Sequence, residues 1–428
     1  MRKKNDFEAR KTRLREEQGW WPTRFLGRVY NNLGYLDWNE GHFGSALTHF
    51  RHAVKCFGEA ETEFEKANAL NNLAFILALL GRSPSADQCV EGALEIRHRL
   101  GRKYWIALSM NTRGIIDALH DHPLRGEKSC RNALAICEMI QHARGIGLAC
   151  LGLGFVLRKR GHQWTQEVYS HQDAEKFFDE ADVQLQRARD IFSRQVTDEP
   201  LRLWEAYNEL GSLCCDRGWL HWKGFGNNQK AAMYYDQSID YQNRALKVAE
   251  DHNWKFQVAD SLDDLAQVYS DKGFLWANVD AGKACRSAAA SSLVRIEGMI
   301  PAKFQLVAGE GFHQLARPGE AFLLSLGKVH LQYGIWLFRE VEQESLSGNT
   351  RLEKLREGIQ QFAIATAYFQ RYWPESHNLG TNLNAFAKRL QLAEVPPEFA
   401  RSCVRQVAKK YRVNLDALLD TIDNALGA

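Results

Sequence analysis

The chain has 428 residues, of which 45% are hydrophobic and 25% charged, and its 55 Lys and Arg stand against 52 Asp and Glu. That length exceeds one ordinary compact core and asks for two or three domains or a repeat array, and only nine prolines suit long helices. A net charge of +3 argues against a nucleic-acid partner, and no uninterrupted apolar run reaches membrane-spanning length.

Residues 1–26 open the chain as a basic helical arm. Its first seventeen residues carry seven Lys and Arg against four Asp and Glu and contain no apolar segment, so a secretory signal is not expected. The nine cysteines are scattered without a CxxC pair and read as free thiols in a reducing, cytoplasmic compartment.

A repeat begins after the arm. NNLGYLDWNEGHFGSALTHFRHA, residues 31 to 53, returns as NNLAFILALLGRSPSADQCVEGA, residues 71 to 93. Leu33-Gly34, Leu73-Ala74, Arg113-Gly114 and Leu153-Gly154 follow one another at intervals of forty residues, and Leu210-Gly211, Leu265-Ala266 and Leu326-Gly327 extend the series. Seven residues after each small residue stands a turn-former: Gly41, Gly81, Asp121, Gly161, Gly218, Gly273 and Gly334. A residue that tolerates positive φ at that place predicts a helix C-cap. A second helix then carries Ala46, Phe50 and Ala53, matched by Ala86, Val90 and Ala93, and by Gly126, Cys130 and Ala133. Small residues let two helices approach, and the bulky one between them fills the groove. One such hairpin cannot bury its apolar stripe alone, so the units must stack.

This phased pattern of Leu-Gly in a first helix and Ala, Phe and Ala in a second resembles the tetratricopeptide repeat (TPR), well over residues 27 to 300 and loosely over 320 to 372. The forty-residue period exceeds the usual one of about 34 and resembles the longer TPRs of kinesin light chains and of bacterial signalling proteins. Arg113 stands where the motif has a core Leu, and the motif's terminal Pro is absent. The resemblance implies an all-α, right-handed α-solenoid of stacked antiparallel hairpins, with six units over 27–300.

Units four and five each gain fifteen residues between turn and final Ala, Gly161 to Ala188 and Gly218 to Ala245. Equal additions to neighbouring units predict a paired protrusion of up to about 11 Å. Trp164, Tyr169, Trp219, Trp222 and Phe225 concentrate there, either as glue between the insertions or as a second partner surface. A connection follows over 301–319, then a degenerate seventh hairpin over 320–373 and a C-terminal helical cap over 374–428. In the cap, Ala400, Val404 and Val407 form an apolar stripe, while Arg401, Arg405, Lys409 and Arg412 form a basic one that reads as a solvated face or a contact for an acidic partner.

No P-loop, HExxH, GxSxG or kinase signature is present, so neither a catalytic residue nor a cofactor is assigned. His120-Asp121-His122 lacks a third ligand at recognisable spacing, and no metal is expected. The positive signal is asparagine: Asn31, Asn71, Asn111 and Asn208 recur at one position of the first helix, with Asn32 and Asn72 beside the first two. Asn is a poor helix-interior residue, so its recurrence needs a reason. Two are open: amides gripping the backbone of a partner peptide on the concave wall, or an inter-repeat amide ladder without ligand. In TPR proteins such an asparagine ladder holds a peptide, which the resemblance carries over to these positions. Tyr35, Phe75, Ile115 and Phe155, four residues on, would floor that groove. The resulting expectation is a non-catalytic scaffold or receptor for a protein or peptide partner. The alternative is the sensor subunit of a bacterial signal-transduction system whose ATPase or protease is a separate chain. The oligomeric state is not legible.

Overall fold

The structure is a computed structural model describing residues 23–166, 170–194, 199–276, 280–300, 305–310, 321–343, 346, 348–373 and 377–426. The basic arm thus lies almost wholly outside the described residues, as does most of the 301–319 connection. The first six helices obey one metric: α1 (Thr23–Asn39), α2 (Phe43–Glu59), α3 (Glu63–Leu79), α4 (Ser83–Arg99), α5 (Lys103–Leu119) and α6 (Pro123–Met139) each have 17 residues. Between them, and after the sixth, the chain turns at Gly41, Glu61, Gly81, Gly101, Asp121 and Gln141, every one at positive φ. At Gly41 the His42 amide reaches back to the Asp37 carbonyl at 2.8 Å and the Gly41 amide to Trp38 at 3.0 Å. This double bond satisfies two of the carbonyls that a helix end leaves open. The forty-residue period is therefore two seventeen-residue helices and two three-residue turns.

Longer helices follow: α7 (Ala143–Gln166), α8 (His171–Phe192), α9 (Pro200–Trp219, continued by a π-helical turn Leu220–Gly224), α10 (Asn228–Asp251), α11 (Lys255–Leu275) and α12 (Asp280–Met299). The extra residues of units four and five lengthen both helices of each hairpin. One expectation is corrected here. Gly161, Gly218, Gly273 and Gly334 do not cap helices; they lie inside them. A Cβ at Gly161 would lie 2.4 Å from the Phe178 ring, and one at Gly218 2.5 Å from the Tyr235 ring. The turn position of the short units has become, one heptad further along, a second site of close helix approach. Gly34 meets Phe50 and Gly154 meets Leu185 by the same rule, and so do Gly327 with Phe369 and Gly334 with Phe362 in the seventh hairpin.

That hairpin is α13 (Ala321–Gln343) and α14 (Gly348–Tyr372), followed by α15 (His377–Leu392), α16 (Pro397–Tyr411) and α17 (Asp416–Leu426). Phe362, Phe386, Ala400, Val404, Val407 and Ile422 form the core that fastens these last helices to α14. On α16, Arg401 pairs with Asp423 and Glu398, while Arg405, Lys409 and Arg412 are exposed. Each hairpin packs on the next, and the first helices of successive hairpins also touch, so α1, α3, α5, α7, α9, α11 and α13 build one inner layer. The molecule is an all-α solenoid. Among the described residues no helix is long and apolar enough to cross a membrane.

The solenoid completes a turn and meets itself. The Gly41 carbonyl accepts the Ala321 amide at 2.8 Å, and the Asn39 carbonyl accepts Nε2 of Gln257 at 3.2 Å. Phe43 stacks edge-on with Phe256 and with Trp373, at centroid separations of 5.7 and 5.9 Å. The α1–α2 turn is thereby seated on the starts of α11 and α13 and the end of α14. One continuous core accordingly joins Phe43 and Phe50 to Trp204, Leu262, Leu323 and Tyr372.

Candidate functional site: a half-open cavity on the inner wall

The concave face of the inner layer bounds a half-open cavity of about 620 Å³. Tyr35, Phe75, Ile115 and Phe155 all line it. They converge because each occupies one position of α1, α3, α5 and α7, and stacking superimposes positions forty residues apart. Three tryptophans join them: Trp38, Trp105 and Trp204. Trp38 packs edge-on between Tyr35 and Phe75, at 5.2 and 5.5 Å. Trp204 is fixed by its indole donating to Ser261 Oγ at 3.0 Å. Leu79, Leu108, Leu119, Leu148 and Leu151 complete the apolar surface. The sequence pattern missed the tryptophans because none recurs at forty-residue spacing. Trp38 alone had a signal, lying three residues after Tyr35 on the same helix face.

The asparagines divide. Asn71, Asn72 and Asn111 line the cavity; Asn31, Asn32 and Asn208 do not. Asn72 Nδ2 donates to Asn31 Oδ1 at 3.2 Å, and Asn71 Nδ2 to Thr112 Oγ1 at 3.1 Å. Asn71 Oδ1 accepts Ser109 Oγ at 2.9 Å and faces Arg97 Nη1 at 3.5 Å. These amides tie one repeat to the next. Asn111 is different: only 7% exposed, it has a buried Oδ1 without a hydrogen-bond partner.

Behind Asn71 and Trp105 lies Arg97, 1% exposed. Its guanidinium donates to the Trp105 carbonyl at 2.9 Å, Ser109 Oγ at 2.5 Å and Asn68 Oδ1 at 2.7 Å. No carboxylate of a described residue pairs with it, and burial pushes its pKa down to about 10. Four neutral oxygens thus stand in for a counter-ion, and the residue bolts α4 to α3 and α5.

The charged residues on the cavity lining are matched within the protein. Arg144 holds Glu199 at 2.6 and 3.0 Å and Tyr104 Oη at 2.7 Å. Arg202 pairs with Glu205 at 2.6 Å, and Glu209 with Arg158 at 3.0 Å. Burial opposes the charge on Arg158 and Arg202, but their carboxylate partners more than offset it and hold both pKa values above the usual range. Arg113, in place of the motif's Leu, stays largely buried and pairs with Glu91 and the buried Asp117, while Ile116 lies in the core.

The second predicted surface is largely internal. Trp164 packs on Phe177 at 5.9 Å, and Trp222 packs against the small core around Tyr235. Trp219 is half-buried, and Phe225, 41% exposed, packs edge-on with His171 and tilted on His221. Glu175 of α8 reaches His221 at 3.3 Å and Lys230 at 3.7 Å, so the two extensions grip each other. Tyr169 lies outside the described residues. His120, Asp121 and His122 form the α5–α6 turn, and no group of three such side chains suited to a metal occurs among the described residues.

Comparison with known proteins supplies the family. The tetratricopeptide repeat profile matches residues 67–100, which cover most of α3 and all of α4. The chain carries a tetratricopeptide repeat at this hairpin. A solved structure described as a circular tandem repeat protein with novel repeat topology and enhanced subunit contact surfaces aligns over 95% of this chain and 98% of that one. Its identity is 12% and its TM-score 0.32, too low to carry an argument about this TPR protein. No curated protein matches by sequence. TPR arrays generally mediate protein–protein interaction and scaffolding.

Proposed function

We propose that this TPR protein captures a segment of a partner protein in the inner-wall cavity and performs no catalysis of its own. One observation carries the reading: four side chains set by the repeat period, Tyr35, Phe75, Ile115 and Phe155, meet around a single cavity of about 620 Å³. That volume lies in the range of concave sites that bury most of a compact ligand. The peptide-gripping role expected of six asparagines narrows in this reading to Asn111. Asn31, Asn71 and Asn72 serve the stacking of repeats, and Asn32 and Asn208 stand off the cavity.

Site-specific photo-crosslinking tests it. A benzoylphenylalanine at Ile115, inside the cavity, should trap a discrete partner segment from host extract, identifiable by mass spectrometry of the cross-linked peptide. The same probe at Leu124, 68% exposed on α6, should not trap that segment. Cross-links that form from position 124 and never from 115 would refute the cavity as the capture site.

A further inference from the structure

Resting on that reading, we infer that the captured segment carries an Asp or Glu side chain within about one helical turn of the apolar residues it seats in the cavity, and that Lys159 receives this carboxylate. Charge on this part of the inner wall is matched pair by pair, with one exception. Arg144 holds Glu199 at 2.6 Å, Arg202 holds Glu205 at 2.6 Å, and Arg158 takes both Glu209 and Asp216 at 3.0 Å. Lys159, the next residue along, is left without a carboxylate. Among the described residues it makes neither an ion pair nor a hydrogen bond. Its Nζ lies instead 5.8 Å from the centre of the Phe155 ring, near the outer limit of a cation–π contact.

Position gives that ammonium its role. Phe155 lines the cavity and Lys159 follows it by four residues, so both lie on one face of α7, about 6 Å apart along its axis. Lys159 is half-buried, and its Nζ is not sealed from solvent. Burial and the neighbouring Arg158 hold its pKa below the usual lysine range, against the pull of Asp216, Glu209 and Asp121.

A segment seated against Phe155 covers Lys159 as well. Beneath an apolar or basic residue the ammonium would lose its remaining water with nothing in exchange, and burying an unpaired charge is costly. Beneath a carboxylate it gains a charge-assisted hydrogen bond. The cavity thus takes apolar side chains, while Lys159 selects for an acidic residue beside them.

The benzoylphenylalanine probe at Ile115, combined with Lys159 variants of the full-length protein, tests this. The segment trapped from host extract should contain Asp or Glu within about four residues of the cross-linked position. Lys159→Met, which keeps the apolar stem, should lower the yield of that segment about fivefold, and Lys159→Glu at least about tenfold. Lys159→Arg should retain most of it. Raising the salt from about 0.05 to about 0.5 M should reduce the wild-type yield and leave that of Lys159→Met nearly unchanged. The thermal midpoint of Lys159→Met should not fall, because no ion pair is lost; a lower midpoint would mark Lys159 as a structural residue and overturn its role. A trapped segment without an acidic residue in that range, or equal yields from Lys159→Met and wild type, would overturn the acidic anchor and leave the cavity as the capture site. No trapping from position 115 in the wild-type background would overturn both.

Discussion

Replacing Arg97 with alanine should cost about 3–5 kcal/mol of stability and lower the thermal midpoint by about 3–6 °C. The side chain is 1% exposed, and its loss strips hydrogen bonds from Trp105 O, Ser109 Oγ and Asn68 Oδ1, and the longer contact from Asn71 Oδ1. Each buried oxygen left without a donor costs about 1–3 kcal/mol, and the void behind Trp105 adds a cavity penalty. Arg99, two residues on, is the internal control. It is more than half exposed and makes only a surface pair with Glu63, so Arg99→Ala should change the midpoint little. Calorimetry of the two variants side by side checks the assignment, and equal effects would remove Arg97 from its structural role.

Gly126→Ala should destabilise the fold by about 1–3 kcal/mol, although alanine is the better helix former. A Cβ there would stand 2.4 Å from the carbonyl oxygen of Gly114, on the facing helix α5. The obstacle is backbone and cannot rotate away, so α5 and α6 would have to separate along the hairpin. Gly92→Ala on α4 supplies the opposite sign. Its nearest neighbour would be Leu70 Cδ1 at 3.6 Å, an ordinary contact, so the helix gains up to about 1 kcal/mol with no clash. Urea titration of both variants reads the difference directly.

Much of this architecture is legible in the amino-acid order, for a definite reason. Leu33-Gly34 and its successors recur because every hairpin faces the same packing problem, and a problem solved repeatedly leaves a period. Tyr35, Phe75, Ile115 and Phe155 were accessible to the same logic, since equivalent positions superimpose on stacking. Features that occur once leave no period. Closure of the solenoid depends on Asn39 and Gln257, 218 residues apart, and on Phe43 meeting Trp373, and no local pattern announces such contacts. Gly161 and Gly218 were misjudged because glycine serves both a positive-φ turn and a close helix approach, and only the length of the helix separates the two. The asparagines were ambiguous for a related reason. An amide that links repeats recurs as regularly as one that grips a ligand, and what occupies Asn71 is Thr112 and Ser109, backed by Arg97, which LEIRHRL presents as one more charge on an outer face.

Whether the superhelix closes on itself depends on the α1–α2 turn being seated on α13 in solution. A Cβ at Gly41 would lie 2.9 Å from that of Ala321 and a disulfide needs about 3.5–4.5 Å, so a bridge needs a shift of an ångström or so and must also bear the cost of about 1–2 kcal/mol for a non-glycine residue at the positive φ of position 41. In the double variant Gly41→Cys/Ala321→Cys, mild oxidation and peptide mapping should recover a 41–321 cross-link in most molecules. A well-folded variant that yields no such linked peptide would mean the superhelix stays open and does not meet itself at the α1–α2 turn.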